Sequence, residues 1–80
     1  MAKYRIAIGA LAERDLLAVP FPMRRLINQK IQRLRDDPRP DGWQRVGTGG
    51  ESCLILYGFE LLDTIDDAAS VVTVAAVSRA

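Results

Sequence analysis

The stretch Cys53–Asp66, CLILYGFELLDTID, decides the fold. Cys53 to Leu56 is an unbroken apolar run, the pattern of a strand covered on both faces. Tyr57-Gly58 supplies a turn, and Phe59 to Ile65 returns, so the stretch predicts an antiparallel hairpin. It holds one thiol, Cys53, and three carboxylates, Glu60, Asp63 and Asp66, but no Lys, Arg or His. A sheet built on this hairpin lacks the fixed cations and imidazoles on which most acid–base and phosphate chemistry relies.

Working outward, Trp43 to Val46 reads as a short strand and Gly47-Thr48-Gly49-Gly50 as a flexible loop leading into the hairpin. Beyond it, Asp66 to Ser70 is a second turn, and Val71 to Val77 a further apolar strand. Toward the N-terminus, Tyr4, Ile6 and Ile8 alternate with Lys3, Arg5 and Ala7, the period of a strand with one buried face. Gly9 ends it. Ala10 to Val19 is rich in helix formers and stops before Pro20. Pro20-Phe21-Pro22 forms a rigid corner, with Pro22 suited to the first turn of a second helix. There Met23, Leu26, Ile27, Ile31 and Leu34 form an amphipathic stripe. Asp36 to Gly42 breaks the helix through Pro38 and Pro40. The order is β-α-α-β-β-β-β: an α+β domain with an N-terminal strand, two helices and then antiparallel strands, one unit spanning 1–80 without internal repeats.

Composition narrows the chemistry. Eighty residues, 49% of them hydrophobic, fit one small folded domain. One cysteine cannot form an internal disulfide, and with no histidine a transition-metal site is short of ligands, so neither a metal nor another cofactor is expected. The opening MAKYRIAIGA has no signal-peptide core, and no apolar run approaches the roughly 20 residues that span a bilayer. A cytoplasmic protein with no membrane partner is expected. The net charge of +1 hides a split. Residues 1–50 carry ten Lys/Arg against five Asp/Glu, whereas residues 51–80 carry Arg79 alone against five acids. Such a split suits two faces that meet different partners, or simply two solvated faces of opposite sign.

Several features then occur in a telling order. An Ala-Glu-Arg-Asp-Leu helix start (Ala12 to Leu16) follows the first strand, and a proline corner and a basic amphipathic helix lead to Asp-Asp-Pro-Arg-Pro (Asp36 to Pro40). After the glycine loop comes a Gly-aromatic-X-aliphatic-aliphatic hairpin (Gly58 to Leu62), then an acidic turn before the last strand. In order and spacing the chain resembles the RelE/ParE toxins of type II toxin–antitoxin systems over nearly its whole length. The resemblance implies a RelE-like fold and a cognate antitoxin as partner. For the RelE branch it also implies inhibition of translation by cleavage of messenger RNA on the ribosome. There the ribose 2′-hydroxyl attacks the adjacent phosphate beside a cluster of fixed cations. A catalytically silent binding or co-repressor module of the same fold is the alternative. A ParE-like gyrase inhibitor is a third reading, although ParE relatives usually carry a longer helical hairpin than Ala10–Asp36.

RelE-like enzymes commonly place Lys or Arg on alternate residues of the first hairpin strand and an Arg after the Gly-aromatic pair. The matching positions here are Cys53, Ile55 and Glu60, none of them basic. The chain ends at Arg79-Ala80, where these enzymes continue into a further basic segment. Arg45 and Arg79 remain as candidate catalytic residues, and catalysis is expected to be weak or absent.

Other residues are candidates for binding. Arg24, Arg25, Lys30, Arg33 and Arg35 lie opposite the apolar stripe and, with Arg45, could contact the phosphate backbone of ribosomal or messenger RNA. The plainer reading is a solvated helix face. Val71, Val72, Val74 and Val77 belong to a strand apolar on both faces, more than helices on one side can cover, which suggests an antitoxin site. Cys53 has no basic neighbour in sequence and reads as a buried structural thiol. Glu60 and Asp66 share strand parity while Asp63 does not, so the three read as a solvated sheet edge rather than one site. Trp43 reads as a core or rim residue closing the gap between helices and sheet. Gly47, Gly49 and Gly50 lack the following Lys-Ser/Thr and helix of a phosphate-binding loop.

Overall fold

A computed structural model describes residues 3–80 of the chain. The N-terminal alternation forms β1 (Arg5–Ile8), and Gly9 turns the chain off it into α1 (Ala10–Leu17). The Gly9 amide donates to the Val74 carbonyl at 2.9 Å, and a Cβ at this position would lie 3.3 Å from that oxygen. Glycine thus lets the helix start hug the neighbouring strand. The first helix is shorter than Ala10 to Val19. The amides of Ala18 and Val19 instead donate to the Asp15 and Leu16 carbonyls in a tight turn before Pro20, which disfavours helical geometry in the residue ahead of it.

The second helix, α2 (Phe21–Arg33), carries Pro22 in its first turn and buries Ile27 and Ile31, with Leu34 just beyond its end. Leu26 falls off the stripe and is 39% exposed. The remaining strands are β2 (Gln44–Val46), β3 (Glu51–Leu56), β4 (Phe59–Asp66) and β5 (Val71–Arg79). They form one sheet in the order β1-β5-β4-β3-β2, antiparallel except for the parallel pair β1 and β5. The hairpin between β3 and β4 turns on Tyr57 and Gly58, both at positive φ (54° and 82°), the mirror-image turn whose twist matches that of paired strands.

Both helices cover one face of this sheet. Ala12, Leu16, Ile27 and Ile31 pack in a single core with Leu54, Phe59, Leu61, Val72, Val74 and Val77. A buried Ile or Val contributes about 1.5–3 kcal/mol, so these contacts hold the two layers together. The Asp15 carboxylate accepts the Val77 amide at 3.0 Å and adds a polar tie between α1 and β5.

The one-sided cover corrects three expectations. First, β3 is covered on one face only: Ile55, on the other, is 59% exposed. Secondly, Val72 and Val74 are fully enclosed and Val77 nearly so, so these three form core rather than a docking surface, and Val71 alone is partly exposed. Val72 and Val74 face the helices, and a bulge adds Val77 to them. Leu62 pairs with Ala76 but Asp63 with Val74, so Ala75 is extra and the parity of β5 flips, bringing Val77 to the same side as Val72 and Val74. Thirdly, β4 is the central strand and no edge, and Asp63 is 1% exposed. Among the described residues, no helix is long and apolar enough to cross a membrane.

Candidate functional site

The uncovered face of the sheet is where the family-matched positions converge. Residues directly opposite across paired strands share a face. Ile55 faces Glu60, Glu60 faces Ser78, and Cys53 lies between Gln44 and Leu62. Cys53, Ile55 and Glu60 therefore sit together on adjacent strands, pointing away from the helices. The next rows add Ala76 beside Leu62, then Ala7, Thr73, Thr64, Glu51 and Val46 in line, and finally Arg5, Val71 and Asp66. The centre of this face is small and neutral. Its carboxylates are Glu51, Glu60 and Asp66, and the one base in register is Arg5, at the β1 corner. Cys53 is a partly exposed free thiol on this face rather than a core residue.

Arg45 and Arg79, the candidate catalytic bases, are elsewhere. Arg45 pairs with Ser52, and Ser52 with Asp63, which places it in the row that faces the helices. Arg79 pairs with Phe59 and its guanidinium lies 5.2 Å from the centre of that ring, at the far end of β4. Four residues along a strand and three strand spacings across separate the two, about 13 Å and 14 Å. They cannot hold the same phosphate, and neither reaches the Cys53–Ile55–Glu60 surface. The structure does not bring the catalytic candidates into one site.

The basic residues of the second helix also divide. Arg24, Arg25 and Arg33 rim an open depression together with Asn28, Gln29 and Gln32, and Arg24 stacks 5.5 Å from the centre of the exposed Phe21 ring. Lys30 and the other side of Arg33 border a groove of 480 Å³ with Asp36, Asp37 and Asp41, whose carboxylates offset their charge. Arg35 follows the helix, its carbonyl accepting the Lys3 and Tyr4 amides. The depression is thus lined by three arginines and no acid.

A polar cluster that composition and periodicity did not reveal lies where β2, β3 and the loop after α2 meet. The Ser52 hydroxyl donates to Oδ1 of Asp63 at 2.5 Å, and both residues are buried. Burial pushes the Asp63 carboxyl above its ordinary range, with Ser52 and Arg39 pulling the other way. Arg39 forms a two-pronged pair with Asp67 at 2.9 and 3.2 Å, and the Tyr4 hydroxyl donates to the same carboxylate at 2.6 Å. Arg39 and Arg45 lie 5.5 and 5.9 Å from the Trp43 ring, whose buried Nε1–H has no partner among the described residues. Trp43 thus lies between two guanidinium neighbours, one from the loop and one from β2. The sequence offered one signal for this clamp, the Arg between two prolines at Pro38-Arg39-Pro40. Its acidic partner 28 residues away was invisible without the fold.

No protein-family model matches the sequence, and no curated protein sequence matches it. Solved structures do match. A chain of the RelBE2 toxin–antitoxin complex from Mycobacterium tuberculosis superposes with a TM-score of 0.86 at 20% identity, covering 98% of this chain and 99% of that one. A chain of the archaeal RelE–RelB complex from Pyrococcus horikoshii gives 0.83 at 17% identity, covering 96% and 94%. The isolated E. coli RelE toxin gives 0.82 at 20% identity, covering 96% and 84%. The α+β fold of this chain is the RelE fold.

Proposed function

We propose that this protein is the toxin component of a type II toxin–antitoxin pair, that its principal activity is to bind a cognate antitoxin, and that it acts in the cytoplasm on translation. The fold is matched end to end by chains solved as toxin–antitoxin complexes, and this carries the reading. The cationic depression of Arg24, Arg25 and Arg33 is suited to contact with ribosomal RNA, by attraction to phosphate rather than by base recognition.

Messenger RNA cleavage is weak or absent in this reading, on one specific observation. Ile55 and Glu60 face each other where a RelE-type nuclease would have cations, and Arg5, the one base in register, lies three rows away on the far strand. A carboxylate at this point opposes a pentavalent phosphate instead of steadying it. The same observation favours the second reading, a catalytically silent module of the RelE fold that titrates an antitoxin or co-represses an operon. Induction of the protein in a bacterial host separates them. Growth arrest relieved by the antitoxin encoded beside it supports a toxin, and normal growth with the antitoxin still bound supports the silent module. Loss of both arrest and antitoxin binding rejects the proposal.

A further inference from the structure

We infer that the uncovered sheet face is a docking surface for a cationic amphipathic helix rather than for RNA. This deepens the antitoxin reading by naming the chemistry of the docked segment, and rests on that reading only for the identity of the protein that supplies it. The middle of the face is built from the short side chains of Ala7, Cys53, Thr64, Thr73 and Ala76, which let a helix approach closely, with the half-buried Leu62 among them as an apolar contact. Ile55 at 59% exposed and Val46 at 42% stand beside them as the exposed large apolar side chains offered to a partner there. Five strands give a width of about 19 Å, the length of a helix of about thirteen residues.

Charge selects the occupant. Glu51, Glu60 and Asp66 rim the face against Arg5 alone, so polyanionic RNA is repelled and a partner bearing Lys or Arg beside its apolar stripe is favoured. The opposite side of the molecule is cationic through Arg24, Arg25 and Arg33, so the chain is a dipole whose two faces meet partners of opposite sign. Of the five acids in residues 51–80, Glu51, Glu60 and Asp66 lie on this face, whereas Asp63 is buried on the helix side and Asp67 is paired with Arg39. Aromatic residues are missing from the sheet face, which removes the stacking platform that single-stranded RNA uses.

The test is a selection of displayed amphipathic helices, about thirteen residues long, whose polar positions are randomised among Lys, Glu and Gln. Binders enriched in Lys are expected. Occupancy is read at Cys53, the sole cysteine, whose alkylation by iodoacetamide should slow when a selected peptide is bound. The double variant Glu51→Lys/Glu60→Lys, shown folded by circular dichroism, should weaken these peptides at least about tenfold and steepen no salt dependence. Enrichment of Glu-rich peptides, absence of binders, or binding that leaves Cys53 alkylation unchanged overturns the inference. Concentration-dependent self-association that protects Cys53 also overturns it, by making a second copy the occupant. None of these results touches the antitoxin reading, which stands or falls on growth arrest and antitoxin binding with the intact partner.

Discussion

Ser52 and Asp63 face each other across β3 and β4 and share a 2.5 Å hydrogen bond on the helix-covered side of the sheet. Because burial raises the Asp63 pKa in the folded chain, the native state holds this proton more tightly than the unfolded one. The contribution to stability is full below the ordinary value of 3.8 and is lost as pH rises through the raised folded value. Asp63→Asn keeps an acceptor for Ser52 but cannot ionise. The variant should therefore gain stability relative to the parent as pH is raised from acid toward neutral, read from urea midpoints at each pH. Ser52→Ala should do the reverse at neutral pH, costing about 1–3 kcal/mol by leaving a buried carboxylate without its donor. Parallel pH profiles for parent and Asp63→Asn would contradict the assignment.

The Asp67 carboxylate is set the opposite way. Hydrogen bonds from Arg39 and then Tyr4 hold its pKa below the ordinary 3.8, so this clamp supports the fold above that value and lets go as pH falls through the lowered one. The same network raises the Tyr4 phenol, chiefly through its bond to Asp67, while Arg39 lowers it. Asp67→Ala should bring Tyr4 down toward 10.0, and Arg39→Ala should push it up further, both visible by ultraviolet titration of the phenolate. Equal shifts in the two variants would mean that Tyr4 is not part of the clamp.

How far the sequence revealed the fold depends on the range of the interaction. The Tyr57-Gly58 turn and the Ile27–Ile31–Leu34 stripe are local patterns, and both appear where the residues put them. A strand apolar on both faces does not show which valines the helices cover: Val72 and Val74 face them, and the bulge at Ala75 brings Val77, which strict alternation would set on the other side, inside as well. The Ser52–Asp63 pair was hidden for a related reason: an aspartate in an alternating strand reads as solvated until a helix is known to cover that side. At the candidate site, the shared surface of Cys53, Ile55 and Glu60 follows from strand parity once the hairpin register is fixed. The distance between Arg45 and Arg79 depends on the order of strands in the sheet, which no local pattern carries.

The division of β5 predicts a contrast in stability. Val74→Ala removes buried carbons worth about 0.8 kcal/mol each and leaves a cavity besides, for a total loss of about 2 kcal/mol or more. Ile55→Ala, on the uncovered face, should change stability by no more than about 0.5 kcal/mol. Thermal melts of the two variants decide the matter, and similar losses would mean that the sheet is covered on both sides.

The hairpin turn holds Tyr57 at φ 54°, a left-handed conformation that costs a residue with a Cβ about 1–2 kcal/mol. The tyrosine is 45% exposed and repays little of this by packing. Asparagine tolerates the conformation and, before glycine, is favoured in this turn type. Tyr57→Asn should raise stability by up to about 1 kcal/mol, and Gly58→Ala should lower it by a similar amount. Chemical denaturation measures both, and a destabilised Tyr57→Asn would show that the ring makes contacts worth more than the strain.

Glu60 offers the most direct test of the uncovered face as a former or dormant nuclease surface. It lies opposite Ile55 on one strand and Ser78 on the other, so a cation here would stand among the three positions matched to RelE-type catalytic residues. Reversing its charge exchanges repulsion of a phosphate for attraction, a change of several kcal/mol for groups about 4 Å apart near a protein surface. Glu60→Arg should therefore raise ribosome-dependent cleavage of a short messenger RNA above that of the parent. Adding Ile55→Lys and Cys53→Lys should raise it further, since a well-placed donor at the transition state is worth about 10²–10³ in rate. Ile55 is exposed enough to accept lysine without loss of core, and the half-buried Cys53 points away from the helices, so circular dichroism should find the triple variant folded. If the folded triple variant cleaves no better than the parent, these positions do not form a RelE-type site. The sheet face is then a binding surface alone, and the carboxylate at Glu60 belongs to its specificity for a cationic partner.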